Sequence, residues 1–246
     1  MSYREIKELL DELKFKGMLQ DLDSILADAE KQGLSIAETL LTLLKQELYY
    51  RKERSLTNRI KNAHIPRNWT LTSFPFKRQP NLNKSQILSL AGTAFVERGQ
   101  NIVFIGDTGT GKSGLAMGLL RQALTAGYRG RFYDVQFLLD DLYSSLADRS
   151  TAKVLKKLCG YDVLVLDELG YLTLRPEQMN AFFKLMSERY QSNKSTIITT
   201  NLDYQNWYDL FKPKEMVDAM LDRLQHYCIT IKIKGASIRQ SSEQSP

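Results

Sequence analysis

The feature that most constrains the fold of this chain is an apolar run that ends in a glycine-rich turn and continues as a helical pattern. The apolar run is Val103 to Ile105, and the residues from Gly106 to Ser113 match the pattern G-x-x-x-x-G-K-[ST]. Glycine lets backbone N–H groups turn inward around an anion, because a Cβ atom would block both the turn and the approach of a phosphate. The alternative is a glycine-rich turn that matches by chance. The strand pattern before the motif and the helical pattern after it favour a phosphate-binding loop.

The residues of this loop have separate predicted tasks. Lys112 is expected to lie on the β- and γ-phosphates of ATP, and the hydroxyl of Ser113 is expected to ligate Mg²⁺. The helix that starts at about Lys112 would direct the positive end of its dipole at the phosphates. The predicted cofactors are therefore ATP and Mg²⁺. The predicted nucleotide contacts are Gly106, Asp107, Thr108, Gly109, Thr110, Gly111, Lys112 and Ser113.

A second signature is the apolar strand pattern from Asp162 to Leu166, which is followed by the adjacent carboxylates of Asp167 and Glu168. A strand this apolar is buried on both faces, so the acids are expected at its carboxyl end, next to the phosphate loop. Asp167 can hold Mg²⁺ through water, and Glu168 can orient and polarise the water that attacks the γ-phosphate. The alternative is a strand that ends in ordinary surface acids. A kinase needs no acid in the role of Glu168, whereas an ATPase does.

Three further residues are candidates for the same site. Asn201 follows the strand pattern from Thr196 to Thr200 and could reach between the γ-phosphate and the attacking water. An asparagine after a strand is, however, more often a turn residue. Arg223 and Arg239, judged alone, would each be interpreted as surface charges.

From residue 101 onward, short β-prone runs alternate with helical patterns. This alternation predicts an α/β fold with a five-stranded parallel sheet, helices on both faces and the ligand at the carboxyl ends of the strands. One further helix is predicted to begin at Asn83 or Ser85 and to close at Gly99. The predicted strands cover 101–105, 131–135, 162–166, 195–200 and 227–233.

The sequence before the sheet predicts a small all-helical module. Capping boxes begin at Ser2 and Ser35, each ahead of apolar residues at helical spacing, and Gly33 is expected to end the first helix or helix pair. Glu47 and Arg51 are placed for an i,i+4 ion pair. The apolar stripe of these helices could be covered by the second helix, by the main domain or by a partner protein.

The predicted domains are this module over 1–65, a basic aromatic linker over 66–84 and an ATPase domain over 85–246. Aromatic rings alternate with cations in the linker. Such rings suit stacking on nucleic-acid bases, and they suit equally an anchor to the core or a border of the nucleotide base. The anchor is the favoured interpretation for Phe74 and Phe76.

Charge is unevenly distributed along the 246 residues, whose formal net charge is +6. Residues 1–50 carry six basic and ten acidic side chains, or −4, whereas residues 51–84 carry nine basic and one acidic, or +8. A basic block is typical of a surface that binds phosphate backbones, and a solvated linker can have the same composition. The predicted DNA contacts lie in this block and in a second basic cluster before the third strand: Arg51, Lys52, Arg54, Arg59, Lys61, Arg149, Lys153, Lys156 and Lys157.

Several other classes of protein fit the sequence poorly. No apolar stretch approaches the length of a membrane span, and the acidic N-terminus is unlike a signal peptide, so we expect a cytoplasmic protein without a membrane partner. Cys159 and Cys228 are isolated, which disfavours a zinc site or a disulfide framework. His64 and His226 lack a metal-ligand pattern and are interpreted as structural.

Taken together, these motifs resemble those of IstB-type transposition helper ATPases, in the AAA+ branch that includes DnaC-type helicase loaders. The resemblance covers almost the whole chain. One departure is Asp107-Thr108, where relatives often carry prolines; it leaves the chemistry intact because those positions contribute mainly backbone. Beyond the phosphate loop the resemblance rests on five strings: 70–76 (TLTSFPF), 166–172 (LDELGYL), 197–201 (IITTN), 222–224 (DRL) and 235–239 (GASIR).

The resemblance implies roles that the residues alone do not. It implies that Asn201 is a sensor, that Arg223 is an arginine finger acting on a neighbour's nucleotide, and that Arg239 touches the γ-phosphate of its own subunit. It further implies ATP-dependent self-assembly on duplex DNA without sequence preference, and stimulation of a cognate transposase. The alternatives are a DnaC-like helicase loader, a nucleotide-switched scaffold with negligible hydrolysis and, more remotely, a small-molecule kinase.

Overall fold

The computed structural model describes residues 3–170 and 174–238. The helices are α1 Tyr3–Glu12, α2 Lys16–Gln32, α3 Ile36–Ala63, α4 Lys84–Leu90, α5 Ala94–Glu97, α6 Lys112–Thr125, α7 Val135–Ala147, α8 Thr151–Cys159, α9 Pro176–Gln191, α10 Trp207–Leu210 and α11 Lys214–His226. The strands are β1 Asn101–Gly106, β2 Gly130–Asp134, β3 Val163–Leu169, β4 Ser195–Thr200 and β5 Cys228–Ile233. Within the described ranges, none of the helices has both the length and the apolar character needed to cross a membrane.

The chain divides into two compact units, and the division falls between Asn58 and Arg59, inside α3. The predicted domain limits at residues 65 and 84 stay predictions. The first unit contains α1, α2 and most of α3.

Two predicted helix boundaries of the first unit, at Gly33 and Ser35, are confirmed. Gly33 ends α2 in the left-handed conformation, with a φ of 64°, and its N–H caps the last turn. The capping box at Ser35 is formed: its N–H donates to Glu38 Oε2 at 2.8 Å, and the Glu38 N–H donates back to Ser35 Oγ at 3.3 Å. The capping box predicted at Ser2 involves a residue outside the described range.

The ion pair between Glu47 and Arg51 is confirmed at 2.6 Å. The sequence did not reveal that Glu47 also accepts hydrogen bonds from the backbone N–H groups of Gly17, at 2.7 Å, and Met18, at 3.2 Å. Burial raises the pKa of Glu47, but the bonds from Arg51 and from the two N–H groups outweigh it, so the pKa lies below its ordinary value. A buried carboxylate on α3 thus caps the first turn of α2.

The apolar stripe of the first unit remains largely exposed within that unit. Exposed side chains along α3 include Ile36, Leu40, Leu41, Leu44 and Leu48. Their i, i+4 spacing places most of them on one side of the helix.

The second unit contains the predicted five-stranded sheet. All its strand pairs are parallel, and the strand order is β2-β3-β4-β1-β5. Alternate residues of β1, β3 and β4, such as Val103, Leu166 and Ile198, belong to one apolar core with α7, α8, α9 and α11. The residues between them are equally buried, and α6 packs against the same strands. The sheet is therefore covered on both faces, and the predicted α/β fold is confirmed.

Two details of the predicted elements were wrong. The single helix expected up to Gly99 is two short helices, α4 and α5, because Thr93 adopts a φ of 62° and breaks the helical path. Asn83 does cap α4, since its side chain accepts from the N–H of Gln86. The third strand extends to Leu169 rather than ending at Leu166, because a β-bulge carries it past the two carboxylates.

Replacement of Glu47 by alanine is expected to lower the free energy of unfolding of the first unit by about 2 kcal/mol, because two buried N–H groups lose their acceptor. Amide hydrogen exchange at Gly17 and Met18 in the full chain measures the loss. The matched control is Glu53→Ala, which removes an exposed acid from the same helix.

The pH dependence follows from the lowered pKa of Glu47. Its contribution is present at neutral pH and is lost as the pH falls through the folded-state pKa, so the variant and the wild type should converge in acid. Equal exchange in the Glu47 and Glu53 variants at neutral pH would show that the cap contributes nothing.

Candidate nucleotide site

The predicted site residues from three strands come together at one edge of the sheet. Strand β1 lies between β4 and β5, and β4 lies between β1 and β3. Because the strands are parallel, the end of β1 at Gly106, the acids at the end of β3 and Asn201 after β4 all lie at the carboxyl edge. The structure thus places the loop and the two acids as the sequence predicted.

The loop between β1 and α6 has the shape of an anion cradle. Gly109 and Gly111 adopt φ values of 86° and 97°, in the left-handed region that favours glycine. A Cβ atom on Gly111 would lie 2.6 Å from the ring of Phe74, so this position has no room for a larger residue. The side chain of Thr110 is buried and donates to the carbonyl oxygen of Asp107 at 2.8 Å. The hydrogen bond within the loop and the close approach of Phe74 to Gly111 therefore hold the loop in this shape.

Lys112 begins α6 at the end of this loop. Its Nζ donates to the carbonyl oxygens of Gly106, at 2.8 Å, and Asp107, at 2.9 Å. The ammonium group is therefore folded over the loop, and a phosphate in the cradle would lie within reach of the same group.

Asp167 is the buried acid of the site, with 8% of its surface exposed. Its Oδ1 accepts a 2.5 Å hydrogen bond from Thr199 Oγ1, and the hydroxyl of Ser113 lies close enough to the carboxylate to lower its pKa. Burial raises the pKa of Asp167, and the negative charges of Glu168 and Asp134 add to the rise, against the two hydrogen bonds. A hydroxyl and a buried carboxylate in contact form an oxygen donor set that suits Mg²⁺.

Glu168 differs from Asp167 in its exposure and in its backbone conformation. It is exposed and adopts a φ of 62°, and its N–H donates to Thr199 Oγ1 at 3.0 Å. Its side chain leaves the sheet where the bulge interrupts the pairing of β3 and β4. The two adjacent acids therefore have different environments, one buried beside the loop and one open to solvent.

Asn201 lies against the end of β3. A Cβ atom on Gly170 would lie 2.3 Å from Asn201 Oδ1, so the asparagine side chain approaches the backbone just after the acids. This placement puts a polar amide at the edge that carries the loop, as its predicted role requires.

Arg223 is not at this edge. It is exposed on α11 and lines a cavity together with Asn101 and Thr196, which stand at the beginnings of β1 and β4. Strand β1 has six residues, so the two edges are separated by about 17 Å along the strand axis. Arg239, the other predicted arginine, lies outside the described residues.

Two segments that are distant in the sequence also meet the loop. The N–H of Ile238 donates to the carbonyl oxygen of Gly109 at 2.8 Å, and Arg78 Nη1 donates to the carbonyl oxygen of Ile238 at 2.9 Å. Phe74 is 4% exposed and packs on the loop, and its ring lies 4.9 Å from that of Phe76. The interpretation of Phe74 as an anchor is confirmed.

The predicted DNA contacts are spread over several elements. Arg51, Lys52 and Arg54 are exposed on the part of α3 in the first unit, where Arg51 is engaged by Glu47. In the second unit Arg59 Nε donates to the carbonyl oxygen of Leu124. The other predicted contacts of the second unit are all exposed: Lys61 on α3, Arg149 after α7, and Lys153, Lys156 and Lys157 on α8.

The two basic clusters approach each other at the end of α3. Arg131 on β2 donates to the carbonyl oxygen of Asn62 at 2.9 Å. Burial, together with the positive charges of Arg131 and Lys157, lowers the pKa of His64. The end of α3, the edge strand β2 and α8 therefore share one positively charged surface.

These features define a class: a phosphate-loop nucleotide-binding protein with an AAA+ fold, in which the loop, a buried acid and a polar strand end meet at the carboxyl edge of the sheet. The family of IstB-like ATP binding proteins matches residues 8–245, and the chain belongs to that family. The resemblance drawn from the motifs is confirmed.

Two relatives are similar over nearly the whole chain. A protein of insertion sequence IS21 from Pseudomonas aeruginosa, named as ATP-binding, is 36% identical over 235 residues, which cover 96% of this chain and 88% of the relative. A protein of insertion sequence IS232 from Bacillus thuringiensis subsp. berliner, named in the same way, is 33% identical over 238 residues, covering 97% and 95%.

Solved structures show the same fold. The DnaC helicase loader superposes with a TM-score of 0.59 at 28% sequence identity, over 68% of this chain and 97% of the loader chain. DnaA from Aquifex aeolicus, bound to AMPPCP, superposes with a TM-score of 0.57 at 18% identity, over 70% of this chain and 51% of DnaA. The second likeness concerns the fold alone.

Replacement of Asp167 by asparagine is expected to raise the free energy of unfolding at pH 7 in the absence of divalent cations. The raised pKa means that the folded state disfavours the charged form, so the charge destabilises the fold above the unfolded-state pKa and ceases to do so in acid. Urea unfolding at pH 7 with a chelator measures the effect.

The matched control is Asp162→Asn, at the residue just before the same strand. Burial raises the pKa of Asp162. The ion pair with Lys194, at 2.7 Å, and the hydrogen bond from the N–H of Arg129 outweigh this effect, so the pKa lies below its ordinary value. The control should therefore lose stability where Asp167→Asn gains it. A loss of similar size in both variants would contradict the assignment of Asp167 as a strained, ligand-ready acid.

Proposed function

We propose that this chain hydrolyses ATP at the carboxyl edge of its sheet and uses the nucleotide to assemble on DNA as the helper of a transposase. The observation that carries the proposal is the contact between the buried carboxylate of Asp167 and the hydroxyl of Ser113, with Glu168 exposed beside them. A scaffold that only binds a nucleotide needs Asp167 and Ser113, but it does not need an exposed acid held in the left-handed conformation beside them.

The proposed chemistry assigns one task to each residue. Ser113 and, through water, Asp167 would hold Mg²⁺, which neutralises phosphate charge when bound. Lys112 would exchange the carbonyl oxygens of Gly106 and Asp107 for phosphate oxygens. Together with the N–H groups of the loop, it fixes the triphosphate.

Glu168 acts on the attacking water. It accepts a proton as the water oxygen bonds to the γ-phosphorus and the bond from that phosphorus to the bridging oxygen breaks, which yields ADP and phosphate. Asn201, against the end of β3, would orient this water and report the state of the nucleotide.

Arg223 completes the site of a second copy of the chain. Its place at the opposite edge of the sheet puts it far from the loop of its own subunit. A guanidinium that stabilises the charge of the transition state must come within hydrogen-bond distance of the phosphates, so Arg223 has to act on a neighbour. The same contact would make hydrolysis depend on assembly.

Arg239 would approach the γ-phosphate from its own C-terminal segment, as the resemblance implies.

The proposed DNA surface is the shared basic surface of the second unit, formed by the end of α3, β2 and α8, with Arg51, Lys52 and Arg54 of the first unit as further contacts. Its exposed lysines suit phosphates rather than base edges, so we propose duplex binding without sequence preference.

The partner is proposed from the relatives. Two proteins named for insertion sequences match nearly the whole chain, which favours a transposase as the partner. The proposed location of the protein is the cytoplasm. The alternative is a helicase loader, which the 28% identity to DnaC favours. A binding assay that offers the full chain a transposase and a replicative helicase discriminates between them.

The central prediction concerns two inactive variants. Glu168→Gln should bind ATP but lower turnover by about 100-fold or more, because the base is lost, and Arg223→Ala should do likewise because the finger is lost. A mixture of the two should regain turnover that neither has alone, since some sites then combine an intact Glu168 with an intact Arg223. A phosphate-release assay measures this.

The control for mixing is the double variant Glu168→Gln/Arg223→Ala, which should not complement Glu168→Gln because no intact Glu168 is present. If the mixture of single variants stays inactive while both still assemble, the role of Arg223 in trans is refuted.

A second prediction concerns salt. Replacement of Lys156 and Lys157 by alanine should reduce the slope of log affinity for duplex DNA against log salt by about 2, because each phosphate contact releases about one counterion. Fluorescence anisotropy at several salt concentrations measures the slope.

The matched control removes the same charge elsewhere. Lys31 and Lys45 are exposed in the first unit, and their double alanine variant should leave the slope close to that of the wild type. A slope that falls equally in both double variants would indicate that net charge, not this surface, governs binding.

A further inference from the structure

The bulge in β3 gives a single threonine contact with both acids of the site. In the pairing of β3 with β4, Leu166 lies opposite Ile198 and Leu169 lies opposite Thr200. Two residues of β3, Asp167 and Glu168, therefore face one residue of β4, Thr199. An extra residue of this kind interrupts the hydrogen-bond ladder and changes the direction of the following side chain.

The hydroxyl of Thr199 replaces the missing ladder bonds. It donates to Asp167 Oδ1 at 2.5 Å and accepts from the N–H of Glu168 at 3.0 Å. Thr199 is fully buried, so no solvent competes for these two bonds. One hydroxyl thus fixes the carboxylate of the first acid and the backbone of the second.

The hydrogen bond from the Glu168 N–H to Thr199 also holds the backbone conformation of Glu168. Glu168 adopts a φ of 62°, which is unfavourable for a residue with a Cβ atom and persists only where the surroundings impose it. The N–H that Thr199 accepts belongs to this residue, so the bond holds the conformation that turns the Glu168 side chain out of the sheet.

Other threonines of β4 do not act in this way. The hydroxyl of Thr196 accepts from Arg189 Nε, and that of Thr200 accepts from the N–H of Leu202 in the same chain segment. Among these three threonines, only Thr199 has its hydroxyl hydrogen-bonded to β3, at the two residues to which the chemistry is assigned.

We propose that Thr199 is a positioning residue for hydrolysis, which aligns the carboxylate of Asp167 for the cation and holds the backbone of Glu168 so that its carboxylate faces the attacking water. This inference rests on the proposed ATP hydrolysis. It adds that the two acids are aligned by one shared hydroxyl and not independently. Because Thr199 acts through Asp167 and Glu168, its loss should affect kcat and the Mg²⁺ requirement more than the binding of ATP.

The test uses the full chain with Thr199→Val, which keeps the shape and removes the hydroxyl, and Thr199→Ser, which keeps the hydroxyl. For Thr199→Val we expect kcat to fall by roughly 10- to 100-fold and the Mg²⁺ concentration for half-maximal turnover to rise, with the KM for ATP changed by less than about threefold. Thr199→Ser should restore both within about threefold.

The matched control is Ser195→Ala, on the same strand. Its buried hydroxyl donates to the carbonyl oxygen of Phe95 at 3.0 Å, far from the acids. The control should lose a comparable amount of stability without the fall in kcat. Thr199→Ala serves as a second variant if the valine does not fold.

A readout independent of turnover is the exchange of the Glu168 amide hydrogen in the nucleotide-free protein. Loss of its acceptor should accelerate this exchange in Thr199→Val, and neither Thr199→Ser nor Ser195→Ala should do so. An unchanged kcat or unchanged exchange in both Thr199→Val and Thr199→Ala would overturn the inference. If the wild type itself fails to hydrolyse ATP, the proposed function fails, while the exchange experiment still decides whether the hydroxyl holds the bulge.

Discussion

Burial of the parallel sheet on both faces is the constraint on which the rest of the structure depends. The buried lengths of β1 and β3 carry apolar side chains, and their charged or loop-forming residues occur toward the ends of these strands. Because β1, β4 and β3 are neighbours and parallel, those ends lie side by side. The glycine loop, the two acids and Asn201 are brought together by this arrangement, although nearly a hundred residues separate the first from the last.

The same constraint separates the components of the proposed reaction. Groups after the strands lie at the carboxyl edge, and Arg223, beside the first residues of β1 and β4, lies at the other. A single copy therefore has a nucleotide pocket and a guanidinium that cannot meet. In the proposed assembly, two copies arranged in line would join one edge to the other, which would link hydrolysis to assembly and assembly to a repeated surface such as duplex DNA.

Much of this was predictable from sequence, because the signals are local. The glycine loop, the apolar runs and the capping residues each depend on a few adjacent residues, and the five strands were predicted to within three residues at each end. Motif spacing also predicted that Asp167 and Glu168 lie at the end of the third strand, although it could not show that one is buried and the other exposed.

The rest depends on contacts between distant segments, for which the sequence carries no local pattern. The cap that Glu47 provides for α2, the bond between Ile238 and Gly109, and the bulge that pairs two acids with Thr199 belong to this group. Thr199 is one of several threonines in an ordinary β-prone run, so nothing distinguished it until β3 and β4 were aligned. The split of α4 from α5 was missed because a threonine rather than a glycine takes the left-handed conformation.

The most direct test of the account is the turnover of ATP per subunit as a function of protein concentration, with the size of the assembly recorded by sedimentation at the same concentrations. If the site is completed by a second copy, turnover per subunit rises with concentration in step with assembly and approaches zero for the monomer. Turnover per subunit that stays constant down to concentrations at which only monomers sediment would contradict the account.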